Sequence, residues 1–182
     1  MSRKGGRGVK SLAMAGNEAD AGEMDPEKTA DGHHVIIDGR RWRATDPAIP
    51  DSFRQELVDE LMAARRAVKA GESDARRRVN DAKTALGERG APWWDERSGA
   101  DFDERIAAAV RALVRKRQAS SICPSDVART VGADSWRSIM DDVRRVTAGL
   151  ADEGQVIVTQ KGEPVRMADA RGPVRIVRGP EL

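Results

Sequence analysis

Large apolar residues are almost absent from positions 1–31 and then recur with a changing period. The run His34-Val35-Ile36-Ile37, the pair Asp38-Gly39 and the run Arg40-Arg41-Trp42-Arg43 predict a β-hairpin. An Asp-Gly turn of type I′ accepts positive φ at both central residues. It sets Ile37 opposite Arg40 and Val35 opposite Trp42, and Val35, Ile37 and Trp42 on one face able to cover a helix. Pro47 and Pro50 then mark a loop. After Asp51 or Ser52, the spacing of Phe53, Leu57, Val58, Leu61, Met62 and Val68 predicts an amphipathic helix that Gly71 ends. A second helix follows over about 73–88, with Ala75, Val79, Ala82 and Leu86 inward. So short a connection makes the two helices antiparallel.

After a polar boundary at 95–100 the helical period returns. Phe102, Ile106, Val110, Leu113 and Val114 predict a helix starting near Asp101 or Asp103, closed by Arg115-Lys116-Arg117 at the negative end of its dipole. Pro124 suits the first position of a short helix that carries Val127, Ala128 and Val131 and stops at Gly132. A third helix is expected from Asp134 or Ser135 to Glu153. Its core stripe is Trp136, Ile139, Met140, Val143, Val146 and Leu150, and its outer face is Arg137, Asp141, Arg144, Arg145 and Ala148. Past Gly154 the pattern turns β-rich: 155–160 and 173–178 read as two strands, with Val174 and Ile176 on the face opposite Arg175 and Val177. A short helix, a tight Gly-containing turn and a longer helix is helix-turn-helix order, and the two strands with their connection over 161–172 add a wing. The expected fold is α+β. A C-terminal winged helix-turn-helix (three helices and a β-hairpin wing, 101–178, with a tail at 179–182) follows a β-hairpin and α-hairpin unit (32–94) and a disordered arm (1–31) too poor in apolar residues to offset ordering entropy.

The stretch Ser121-Ile-Cys-Pro-Ser-Asp-Val-Ala-Arg129, with Trp136-Arg137, Val143-Arg144-Arg145-Val146, Leu150-Ala-Asp-Glu-Gly154, Thr159-Gln-Lys-Gly162 and Ala170-Arg-Gly-Pro-Val-Arg175, resembles a small bacterial family, the domain of unknown function 3253. The resemblance covers roughly 102–178. It implies a winged-helix fold and a link to nucleic acid, and carries no substrate or activity with it.

Composition narrows the function classes. The 182 residues include one cysteine, Cys123, and two histidines, His33 and His34. An internal disulfide and a cysteine-cluster zinc site are therefore excluded. Cys123 precedes a helix N-terminus, where a thiol pKa falls, but its neighbours Ile122 and Pro124 suit a small buried residue and no base stands near it in sequence. Adjacent histidines in an extended segment point apart, so no metal site is expected. Nor does any phosphate-binding glycine loop or metalloprotease motif occur. No enzyme activity and no cofactor are expected. No stretch is apolar enough to span a membrane, no secretory signal pattern follows the basic start, and cytoplasmic residence is the expectation.

Charge leaves two functions open. Lys and Arg total 32 against 30 Asp and Glu, and 25 of the 32 are Arg. The expected DNA surface joins the helix over 134–153 to the wing, through Arg137, Arg144, Arg145, Lys161, Arg166, Arg171 and Arg175. Its partner would be double-stranded DNA, in a role such as transcriptional regulation. Against this, residues from Asp95 onward sum to only +1, and duplex affinity comes largely from neutralised phosphates. The alternative is a protein-interaction or assembly module that uses the same scaffold without binding nucleic acid, its partner another protein or a second copy in a homodimer. A secondary basic patch, Arg65, Arg66, Lys69, Arg76, Arg77 and Arg78, gives +4 over 65–78 and reads either as a phosphate-binding tip or as a solvated surface paired with Glu72 and Asp74. Pro92-Trp93-Trp94 is read as closing a small core, with base stacking or partner anchoring as the functional alternative.

Overall fold

The hairpin forms in the register its turn dictates. In the computed structural model, which describes residues 26–182, β1 (His34–Ile37) pairs antiparallel with β2 (Arg40–Arg43), with Ile37 opposite Arg40 and Val35 opposite Trp42. Asp38 and Gly39 both take positive φ, 50° and 72°. The expected arm lies outside the described residues up to position 25. Beyond that, Lys28 bridges Val35, and Thr29 donates its N–H to the His34 carbonyl at 2.9 Å. The face carrying Val35, Ile37 and Trp42 is less covered than expected: Ile37 and Trp42 are about half exposed.

α1 (Asp51–Ala70) and α2 (Ala75–Ala85) form the antiparallel pair, with Gly71 in the left-handed conformation that ends α1. The buried face of α1 is Leu57, Glu60, Leu61, Ala64 and Ala67, while Met62 and Val68 are exposed. Alanine sets this face because its small side chain lets α2 come close. α2 stops three residues short of the expected 88, at the turn where Gly87 adopts positive φ.

α3 (Gly99–Lys116) is the centre of the molecule. Residues 105–110 are all buried, as are Ala112 to Arg115. One side packs on α1 and α2, and the other on α4 (Pro124–Gly132) and α5 (Met140–Asp152). The main apolar core therefore runs from Ile49 and Leu57 through Ile106 and Leu113 to Val143 and Ile176, beside a smaller cluster of Val158, Met167, Ala170 and Val174. The polar stretch 95–100 is a bend in the chain across an undivided core.

Pro124 occupies the first turn of α4, and the Asp126 carboxylate accepts the Cys123 N–H at 3.1 Å. The next helix departs from expectation. A single 3-10 turn, Ala133–Ser135, and a further turn precede α5, which begins at Met140 rather than Asp134 or Ser135. Ala133 sits at φ 48°, and the hydroxyls of Ser135 and Ser138 donate to the carbonyls of Gly132 and Ser135. Such local bonds compete with helix continuation. Trp136 is therefore outside the helix and only half buried, which corrects its place in the core stripe.

After Gly154, β3 (Val156–Gln160) lies between β4 (Glu163–Pro164) and β5 (Arg175–Arg178), all antiparallel. Lys161 and Gly162, both at positive φ, turn β3 into β4. Ile122 pairs with Ile176 on the far side of β5, exchanging N–H···O bonds of 3.0 and 2.8 Å. The molecule is thus mixed α+β, with five α-helices and two small antiparallel sheets among the described residues. No helix of the described residues is long and apolar enough to cross a membrane.

Candidate nucleic-acid interface

The predicted arginines of α5 are already engaged within the protein. Arg145 donates to both carboxylate oxygens of Asp103 on α3, at 2.8 and 2.7 Å, and to Asp142 at 2.9 Å. The Asp103 bond, with Asp142 adding to it, raises the Arg145 pKa, and the same bond holds the Asp103 carboxyl below its ordinary value. The Arg145 side chain remains 56% exposed, so it is tethered without being buried. Arg144 is half-buried and donates to the Ala170 carbonyl at 3.1 Å, fastening the loop between β4 and β5 against α5. The pairing of Asp141 with Arg137 that their spacing allows is replaced by Asp142 with Arg145.

Arg137 is exposed and lies over the face of Trp136, its guanidinium carbon 4.3 Å from the ring centroid. Arg129 of α4, which the sequence did not single out, lies over the same ring system at 4.9 Å. The early end of α4's successor turn therefore presents an indole flanked by two guanidinium groups. The signal for Arg129 was available in its position as the exposed residue of a short helix otherwise committed to the core.

The wing residues Lys161, Arg166, Arg171 and Arg175 are all exposed. Register places Arg175 opposite Thr159, and the Gln160 side chain donates to the carbonyls of Arg171 and Pro173 at 2.7 and 3.2 Å. Lys161, Arg171 and Arg175 thus gather at one end of β3. Through the Arg144 bond to Ala170, this end is tied to α5.

The secondary patch divides. Arg78 binds Glu60 at 2.9 Å and lies 3.8 Å from Glu72; the Glu60 bond raises its pKa. Arg65 approaches the Met62 sulfur, while Arg66, Lys69, Arg76 and Arg77 are exposed. The terminal cluster of α3 likewise does more than face the helix dipole. Arg115 is buried against Asp81 at 2.6 Å, and Arg117 grips Glu56 through two bonds of 2.7 Å and Asp126 at 3.0 Å.

The aromatic pair closes no apolar core. The Trp94 ring stacks on His33 with centroids 4.0 Å apart and planes within 4°, and the Trp93 indole N–H donates to the Ala44 carbonyl at 3.0 Å. Cys123 is half-buried with its sulfur 2.8 Å from the Ser125 hydroxyl. Among the described residues no three His, Cys, Asp or Glu side chains are grouped to hold a metal ion.

Residues 103–179 match the family described as protein of unknown function (DUF3253). The match bears out the resemblance carried by the motifs from Ser121 to Arg175. No curated protein matches the chain.

Proposed function

We propose that the family segment is a winged helix that binds double-stranded DNA, with Arg137, Lys161, Arg166, Arg171 and Arg175 as its cationic contacts and Arg129 as an addition to them. The supporting order is α3, the extended rung at Ile122, α4, α5 and then the β3–β5 sheet, to which Ile122 is bonded. The observation that carries the reading is the division of labour among the basic residues. Arg144 and Arg145 are consumed in holding α5 to the loop at Ala170 and to Asp103. The wing cations and Arg137 remain exposed and able to meet phosphates. In this reading α5 is positioned by its arginines, and contact falls to the turn at Trp136–Arg137 and to the wing.

With near balance of charge in this half of the chain, binding is modest and strongly salt-dependent. Fluorescence anisotropy of a labelled random duplex, at low and at physiological salt, tests it. The expected result is measurable binding at low salt that falls steeply with added salt, and a loss of about tenfold or more for Arg137→Glu with Arg171→Glu. Absence of binding at low salt overturns it in favour of the docking module, a reading that the tethering of Arg145 by two carboxylates favours.

A further inference from the structure

The end of α3 farthest from the Trp93–Trp94 pair holds a group that the nucleic-acid reading does not use. The Arg115 side chain is only 2% exposed, and its charge is shared with one buried carboxylate, Asp81. Asp81 also receives Arg111 at 3.0 Å, so a single negative charge sits between two guanidinium groups. Arg111 has a further acceptor in Glu104 at 2.6 Å. Arg115 has none: its Nε and Nη2 are buried with no hydrogen-bond partner. A buried guanidinium short of acceptors is costly, since the whole desolvation penalty of each unpaired donor stands uncompensated.

Arg115 lines a cleft of about 760 Å³ between α1 and the end of α3. Five basic and two acidic residues line it, giving +3. Internal pairing uses most of that charge: Arg78 is bound to Glu60, Lys116 to Asp59 at 2.7 Å, and Arg117 to Glu56. Arg66, exposed on the rim, and Arg115, at the wall, keep donors to spare, and Gln118 and Ser120 border the same space. Two guanidinium groups lining one space, one of them with buried donors short of acceptors, suit a dianion with several acceptor oxygens. The volume lies in the range of small-molecule sites and exceeds what a bare anion fills.

We propose that this cleft binds the phosphoryl group of a phosphorylated small molecule, through Arg115 and Arg66. The site is separate from the wing and from Arg137, and it stands whether or not the chain binds DNA.

The test uses the full chain, with inorganic phosphate and phenyl phosphate as probes at ionic strength held constant with chloride. Thermal unfolding and titration calorimetry are read together. The expected result is a rise in Tm with millimolar phosphate, reached at lower concentration with phenyl phosphate. Arg66→Ala, a rim variant with no packing role, weakens binding about tenfold, as loss of one charge-assisted bond does. Arg115→Lys keeps the charge but loses the planar fork, and weakens it further. Phosphate effects no larger than those of chloride overturn the proposal. So does a folded Arg66→Ala chain with unchanged affinity. Displacement of phenyl phosphate by a random duplex, lost together with duplex binding in Arg66→Ala, overturns the small-molecule assignment and makes the cleft a backbone-phosphate contact.

Discussion

The Asp46 carboxylate, in the loop between β2 and α1, accepts a hydrogen bond of 2.7 Å from Arg105 in the middle of α3, and both side chains are buried. The same carboxylate accepts the Ala48 N–H, and the Asp46 N–H donates to the Leu86 carbonyl. One aspartate thereby joins the hairpin loop, the end of α2 and the central helix. Burial lowers the Arg105 pKa while Asp46 opposes the shift, so the charge depends on its partner.

Breaking this pair from one side should be severe. Asp46→Asn is expected to destabilise the protein by about 3–5 kcal/mol, the cost of a buried charge left without its partner. Adding Arg105→Met should return much of that loss. Urea unfolding of both variants checks it; a single variant within about 1 kcal/mol of wild type would show that Arg105 finds another acceptor.

Two glycines predict opposite signs. A Cβ on Gly179 would collide with the Gly154 carbonyl oxygen and lie 2.7 Å from the Gln155 carbonyl carbon, both backbone atoms. Gly179→Ala should cost about 1–3 kcal/mol by forcing β5 away from the start of β3. Gly149, exposed in α5, meets nothing within 4 Å. Gly149→Ala should stabilise by about 0.5–1 kcal/mol through helix propensity. Thermal melts of the two variants should move in opposite directions.

Acid should act on the Asp103–Arg145 contact. The Asp103 pKa is depressed by Arg145, so its contribution is present above the unfolded carboxyl value of about 3.9 and is lost as pH falls through the lower folded value. Asp59, lowered by its bond to Lys116 and by Gln55, acts in the same sense. Stability therefore declines as pH drops below about 4–5. Asp103→Asn should show a flatter dependence of Tm on pH between 5 and 3 than wild type, and an equal slope would remove Asp103 from the account.

Trp136→Ala measures how far the turn before α5 belongs to the core. A fully buried tryptophan would cost about 3–5 kcal/mol. Half-burial beneath Arg129 and Arg137 predicts less than about 3 kcal/mol by urea unfolding, with the chain still folded. A loss at the upper end would restore Trp136 to the core.

What could be read from the sequence was whatever local chemistry decides alone. Asp38-Gly39 fixed the hairpin register, Gly71 the end of α1, and Pro124 the start of α4. The order of the three helices, β3 and β5 beyond residue 99 followed from apolar spacing, while the two-residue β4 lies inside the stretch expected as the connection between two strands. Hydrophobic weight misjudged α1, because close packing against α2 selects Ala64 and Ala67 over the larger Met62 and Val68. The serines at 135 and 138 redirected the backbone before α5, an effect that the apolar stripe through Trp136 concealed. Ion pairs were the least legible part. Asp46 with Arg105, and Asp81 with Arg111 and Arg115, join residues 30 or more positions apart, and their arginines resemble solvated ones until the alanines around them prove buried. The exposure of Arg137 and of the wing residues was legible in the sequence, because a solvated cation stays where its helix or turn puts it.

Sheathed on both flanks, α3 is exposed only at its first three residues and at Glu104 and Lys116. Cut free of the first hundred residues, the stretch that carries the family likeness would expose the alanine seam on which α2 rests and strand Arg111 and Arg115 without Asp81. The leading part of the chain is therefore the other half of that stretch's interior, and any relative that lacks it must supply a substitute wall for the same helix.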